Sequence, residues 1–231
     1  MNLQNHGIQI LSNVLPNNGY LHNINEKLYE WLEIKNKKYN RTDNCLHHLL
    51  VYDKLLFNNI LTILANNEHI KNYFKTGFIM HSCGAVINQP KNTAYTHNWH
   101  IDTYEETNEN IMLNVLVPLV DFTIENGCTK IYPKESDSYE HIELKKGDIL
   151  LFNSGLKHCT GNNKSKFDRN CITITLIKMY MKPQFDYLKL FTDKELTALD
   201  DQIKVLINYY SQLPNNLEDF YNKKYKIFLK E

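Results

Sequence analysis

Between Gly77 and Lys182 the chain breaks into short β-branched or apolar runs, and this block constrains the fold more than any other feature. FIMHSCGAVI, NIMLNVLVPLV, DILLFNS and CITITLIKMYM are bounded by Asn, Gly, Pro or Lys clusters, the mark of strands closed by turns. The flanks have another character. Residues 22–38 and 46–75 repeat apolar residues at helical spacing, for instance Leu49, Leu50, Tyr52, Leu55, Leu56, Ile60 and Ile63. Upstream of both, GIQILSNVL at 7–15 reads as a short strand. Downstream, Thr192-Asp-Lys-Glu195 has the form of a capping box, opening a helix through about residue 212 before the break at Pro214 and Asn215. A last amphipathic segment covers 217–229. The expected class is α+β, with an antiparallel sheet or barrel braced by N- and C-terminal helices. No repeat and no Pro/Gly/Ser linker divides the 231 residues, so 1–231 read as one domain. Its parts are a helical stretch at about 16–76, a β core at about 77–182 and helices at about 190–231.

Composition narrows the function classes. Lys plus Arg and Asp plus Glu both total 26, so the formal charge is zero. A chain that tracks nucleic acid or an anionic membrane surface carries a basic excess, and neither partner is expected here. No run approaches the 18 or so apolar residues of a membrane span, and MNLQNHGIQI lacks the basic and apolar regions of a secretory leader. The five cysteines are scattered and form no CxxC pair, which fits reduced thiols in a cytoplasmic protein. The 30 Asn are dispersed rather than in tracts and point to no function.

One constellation carries chemistry. In NWHIDTY, His100 and Asp102 lie two apart, so on an extended strand both side chains leave one face and can reach a single metal ion. A third ligand has to come from a neighbouring strand, and His158 is the candidate, with Gly147-Asp148-Ile-Leu-Leu-Phe152 running towards it. Two His and one carboxylate on one side of an ion leave the other positions open, as in non-haem Fe(II) oxygenases. Arg169 follows eleven residues after His158, at the start of CITITLIKMYM. The intervening CTGNNKSKFD is turn-rich, so strands 148–158 and 169–181 are expected to pair as a hairpin that returns Arg169 to the site. A buried guanidinium there suits a bidentate grip on the far carboxylate of a dicarboxylate ligand, with Thr160 adding a hydroxyl donor.

The ordered set Trp99-His100-Ile101-Asp102, Leu116-Val-Pro-Leu119-Val-Asp121, Glu125-Asn126-Gly127, Pro133, Gly147-Asp148 to His158, and Arg169 resembles the phytanoyl-CoA dioxygenase family of Fe(II)/2-oxoglutarate oxygenases. The resemblance covers about residues 77–182 and implies a double-stranded β-helix, a distorted jelly roll of the cupin kind. It implies His100, Asp102 and His158 as iron ligands, and Arg169 with Thr160 as the 2-oxoglutarate clamp. Asn114, where relatives often have a Trp near the cosubstrate, is a further candidate for that contact. Ile101 stands where relatives commonly have Gln, and Pro133-Lys-Glu-Ser136-Asp137 replaces Pro-Gly-Ser-His. The implied activity is hydroxylation of an unactivated C–H in a small metabolite, with O2 consumed and succinate and CO2 released. Asp102 holds the position that a halide needs in related halogenases, which disfavours halogenation.

Two rivals remain in view. A cupin-like metalloenzyme without 2-oxoglutarate uses the triad but leaves Arg169 idle, and a silent binding module uses neither. The remaining histidines, among them His47, His48, His69, His81, His97 and His141, read as surface or satisfied core residues. His97 and Tyr95, and then Tyr104, Glu105 and Glu106, flank the metal segment near the expected mouth. Tyr209-Tyr210 and Tyr221 with Tyr225 are candidate dimer contacts, so the chain is expected to be a monomer or a homodimer.

Overall fold

The computed structural model describes residues 2–16, 19–91, 95–103, 110–211, 214 and 216–221. Chain order begins with the short helix α1 (Leu3–His6), strand β1 (Ile8–Leu11) and the long helix α2 (Tyr20–Tyr39). Then come β2 (Cys45–His47), α3 (Asn58–Asn66), α4 (Glu68–Phe74) and β3 (Phe78–Asn88). The β block continues with β4 (Met112–Pro118), β5 (Thr129–Ile131), β6 (Glu140–Ile142), β7 (Ile149–Asn153), β8 (His158–Thr160) and β9 (Arg169–Lys178). Helices α5 (Asp193–Ala198), α6 (Asp201–Leu206) and α7 (Leu217–Tyr221) follow.

The strands form two antiparallel sheets, a larger one in the order β1-β7-β4-β9-β3-β2 and a smaller one in the order β6-β5-β8. Alternation along the central strands decides what each face meets. Leu113, Val115 and Val117 of β4 and Ile172, Ile174 and Leu176 of β9 join Leu28, Ile60, Leu64 and Ile203 in the core under the helices. The intervening residues turn inward, where Leu116, Leu150, Phe152 and Cys171 meet Ile131 and Ile142 of the smaller sheet. The result is the α+β class expected from the strand block and the double-stranded β-helix that the family resemblance implies, with helices covering one outer face.

Several local expectations are corrected. Residues 46–57 are not helical: Cys45–His47 pairs with β3, and Leu49–Val51 makes one 3-10 turn. His48 adopts the left-handed region (φ 55°), which a continuing α-helix does not tolerate. The periodicity of Leu49, Leu50 and Phe57 reflects burial in the common core rather than one helical stripe. The capping box at Thr192 and Glu195 is present, but its helix stops at Ala198 and a second begins on the Asp200 cap, so no single helix reaches 212. Strands 148–158 and 169–181 do not pair as a hairpin. β7 lies between β1 and β4, β8 belongs to the smaller sheet, and β9 inserts between β4 and β3. Long-range pairing with β3 and β4 satisfies the β9 backbone on both edges, whereas a hairpin alone pairs one. The last amphipathic segment is described only to Tyr221, and Tyr104, Glu105, Glu106 and Tyr225 lie outside the described residues.

Candidate active site

His100 and His158 face each other across an isolated antiparallel bridge, exchanging N–H···O bonds of 3.0 and 2.9 Å. The Asp102 amide donates to the Ser154 carbonyl at 2.9 Å, so residues 100–102 run along 154–158 as an extended segment. This is a single bridge rather than the full strand expected, yet it puts His100 and Asp102 on the side of His158. The possible ligand atoms of the three residues lie within 4.8 Å of one another, and they form the one such cluster among the described residues. Nε2 of His158 is 3.5 Å from Asp102 Oδ2, and Nε2 of His100 is 3.7 Å from Oδ1.

The surroundings set the tautomers. His100 Nδ1 donates to the Asn98 carbonyl at 2.7 Å and His158 Nδ1 to the Leu156 carbonyl at 2.9 Å. A carbonyl can only accept, so each Nδ1 carries the proton and each Nε2 lone pair is left for a metal. Asn114 Nδ2 donates to Asp102 Oδ2 at 2.6 Å, and Thr175 Oγ1 bonds Asn114 Oδ1 at 3.3 Å, so the carboxylate is oriented from the large sheet. Phe152 packs edge-on against the His158 ring at 4.8 Å. Burial pushes the His158 imidazole below its usual range, against the pull of Asp102 and with the push of His100. The site favours the neutral imidazole that a metal needs.

A cavity of about 350 Å3 connects this triad with Arg169, Thr160 and Asn114. Arg169 opens β9 as expected, but it reaches the cavity along the inward face of that strand, with Cys171, Thr173 and Thr175. Its guanidinium is fully buried, stacks 4.4 Å above the Phe122 ring and makes a 3.6 Å contact with Cys171 Sγ. Nε and Nη2 have no partner. Burial draws its pKa down, opposed by Cys171 and Cys128. A buried cation with unmet donors is costly unless an anion joins it, so this end of the cavity suits an anionic group. The donor set fits the metal as well, since two imidazoles and one carboxylate on one side of an ion suit Fe(II).

Trp99 packs on Tyr132 and Tyr139 at 5.0 and 5.3 Å and pins the metal segment to the smaller sheet. His97 Nε2 meets Asn88 Oδ1 at 3.1 Å, so it packs as expected rather than reaching the metal. Sequence reasoning missed Thr96, whose buried hydroxyl lines the cavity without a partner. It also missed that His47, exposed as expected, and His81, whose buried Nδ1 has no partner, line the cavity. Thr96 has no sequence signal. His81 sits at a register shift between Met80 and Ser82 that only pairing with β9 reveals.

The profile of the phytanoyl-CoA dioxygenase family (PhyH) matches residues 35–171. Dioxygenase sphC of Aspergillus fumigatus is 27% identical over 123 residues, 49% of this chain and 34% of that protein. Dioxygenase FUM3 of Gibberella moniliformis is also 27% identical over 123 residues, 49% of this chain and 41% of its own length. The chain thus spans well under half the length of these curated relatives. Among solved structures, the non-heme alpha ketoglutarate dependent epimerase SnoN superposes with a TM-score of 0.60 at 13% identity, covering 77% of this chain and 80% of SnoN. HygX from Streptomyces hygroscopicus, with nickel and 2-oxoglutarate bound, gives 0.58 at 12% identity, covering 78% of this chain and 86% of HygX. These likenesses support the double-stranded β-helix. Because the family profile spans more than half of the 231 residues and encloses the triad and Arg169, the chain belongs to the phytanoyl-CoA dioxygenase family.

Proposed function

We propose that the protein is an Fe(II)/2-oxoglutarate-dependent dioxygenase that hydroxylates an unactivated C–H of a small metabolite. The observation that carries this reading is the pairing, in one cavity, of the His100–Asp102–His158 cluster with a fully buried Arg169 whose Nε and Nη2 are unpartnered. A cupin-like metal site or a silent binding module leaves that guanidinium without a task. When bound, the iron with 2-oxoglutarate supplies oxidation of a C–H bond by O2, and succinate and CO2 are the coproducts.

Each residue has a distinct part. His100 and His158 present Nε2 as neutral donors, and Asp102 adds a negative charge on the same side. Asn114 orients that carboxylate and lines the cavity, where it also faces the cosubstrate space. Arg169 grips the distal carboxylate of 2-oxoglutarate, with the Thr160 hydroxyl beside it. Phe152, Leu116 and Val86 give the interior an apolar wall beside the metal ligands. Residues 1–231 act as one domain in this reading, and one apolar cluster running from Leu3 to Ile207 supports it. Five buried free cysteines suit a reducing, cytoplasmic setting. No helix among the described residues is long and apolar enough to cross a membrane.

The test is anaerobic addition of Fe(II) and then 2-oxoglutarate. A weak visible charge-transfer band is expected only when both are present, with succinate released once O2 is admitted. No band at saturating ligand would reject the assignment.

A further inference from the structure

The cavity has a second polar end that neither the metal nor Arg169 uses. It is formed by His47 on β2, His81 and Ser82 on β3, and Gln184 beyond β9. Neighbouring residues of a regular strand point to opposite faces, yet His81 and Ser82 both line the cavity. The register shift against β9 between Met80 and Ser82 accounts for this, because a bulge re-aims one side chain. Gln184 is set beside the bulge by its own amide, which donates to the His81 carbonyl at 3.1 Å. His47 gains its place through Gly84, its partner across the β2–β3 pair. A Cβ on Gly84 would lie 2.6 Å from the Leu46 carbonyl oxygen and push β2 outward.

Sheet order sets the distance between the two ends. Asn114 on β4, Thr175 on β9 and Ser82 on β3 form one row. Adjacent strands lie about 4.8 Å apart, so the row places Ser82 roughly 10 Å from the Asn114 that holds Asp102. A small molecule can bridge that span with one end at the metal.

We infer that this end binds the primary substrate and selects an uncharged small molecule bearing hydroxyl groups. The inference rests on the dioxygenase reading above. Among the described residues, Arg169 is the sole Lys or Arg lining the cavity, and the dioxygenase reading assigns it to the cosubstrate. An anionic substrate group at the far end therefore meets only hydroxyl, imidazole and amide groups. An alkyl group fares no better, because it leaves those groups desolvated and unpaired. His81 Nδ1 is buried without a hydrogen-bond partner, and a substrate hydroxyl, which both donates and accepts, satisfies it in either tautomer. Burial also lowers the His81 pKa, against the pull of a backbone hydrogen bond at Lys182, and so favours the neutral ring. His48 is not part of this end, since its Nδ1 meets the Tyr187 hydroxyl at 2.9 Å and its ring stacks on Phe185.

The experiment measures substrate-stimulated succinate release with myo-inositol and cyclohexanol, with inositol monophosphate and cyclohexanecarboxylate, and with methylcyclohexane at its solubility limit. Formation of the Fe(II)/2-oxoglutarate band is recorded in the same samples, so loss of the band rejects the dioxygenase reading separately. With the band intact, stimulation is expected from the neutral hydroxyl compounds alone. His81→Phe and the rim variant Gln184→Leu should each raise the half-saturating concentration of the active compound five- to tenfold. The 2-oxoglutarate requirement and the band should stay as in the wild type. Stimulation by the charged or alkyl members instead, no stimulation by the hydroxyl compounds, or unchanged half-saturation in both variants overturns the inference.

Discussion

Arg169 is the residue whose environment is least self-sufficient. Its Nε and Nη2 are buried and unmatched, so a carboxylate in the cavity relieves a desolvation penalty as well as making new bonds. Replacing Arg169 with Ala removes a charge-assisted contact valued at about 2–5 kcal/mol for close, buried charge pairs. At about 1.4 kcal/mol per tenfold, the 2-oxoglutarate requirement should rise roughly thirty- to several-thousand-fold, with Arg169→Lys in between. Fe(II) binding without cosubstrate should barely change, and a 2-oxoglutarate titration at saturating iron reads the difference. Asn114 acts one bond further out, through its 2.6 Å contact with Asp102. Loss of such a partner to a metal ligand typically costs ten- to a hundredfold in affinity, so Asn114→Ala should weaken Fe(II) binding by about that factor. An anaerobic iron titration that finds no change would free Asp102 from its dependence on β4.

At the scale of elements, the junction between α2 and β2 depends on one buried ammonium. Lys35 Nζ donates to Asp43 Oδ1, to the Asp43 carbonyl and to the Cys45 carbonyl at 2.8, 2.7 and 2.9 Å. Burial raises the Asp43 pKa, but hydrogen bonds from Lys35 and Arg41 outweigh it and hold the carboxyl at about 2 rather than 3.8. A carboxyl that titrates lower when folded stabilises the fold above its unfolded pKa and stops doing so as pH falls through the folded one. Thermal melts between about pH 5 and pH 2 should therefore show a falling Tm, and Lys35→Met should flatten part of that slope. Equal slopes in both proteins would remove the clip from the acid response. On the other face, Asn170 bonds Asn25 and Tyr29, and Tyr29 also bonds Asp168, so α2 clamps both neighbours of Arg169. The helix layer thereby sets the entry of β9 into the sheet.

For the whole molecule, the site joins segments that fold into different layers, with His158 from the smaller sheet and Arg169 from the larger. Ligands that bridge them stabilise the native state by mass action, by about 2.7 kcal/mol at a hundredfold excess over Kd. For a chain of this size that corresponds to a rise in Tm of roughly 5–10 °C. Fe(II) and 2-oxoglutarate together should give this rise anaerobically. His158→Ala should abolish most of it while retaining a cooperative melt, because two ligands on residues 100–102 grasp the ion from one side only. An equal rise in that variant would take His158 out of the metal site.

His158 and Arg169 were picked out by their order in the family resemblance, whereas the strand block, most of the helical flanks and the His100–Asp102 pair were legible as local patterns of spacing and residue type. The Thr192 capping box was legible for the same reason, although its helix was not, because Asp200 restarts the backbone after Leu199. What tertiary structure alone decided is pairing. β9 enters between β4 and β3 rather than turning back on its neighbours, and both edges of this ten-residue strand are paired there. Leu49, Leu50 and Phe57 are buried by the common core and not by a helix of their own. The bulge that aims His81 into the cavity and the partnerless Nε and Nη2 of Arg169 exist only once distant strands have met. Local sequence sets which atoms can bind a metal or an anion; the register of remote strands sets which of them share one cavity.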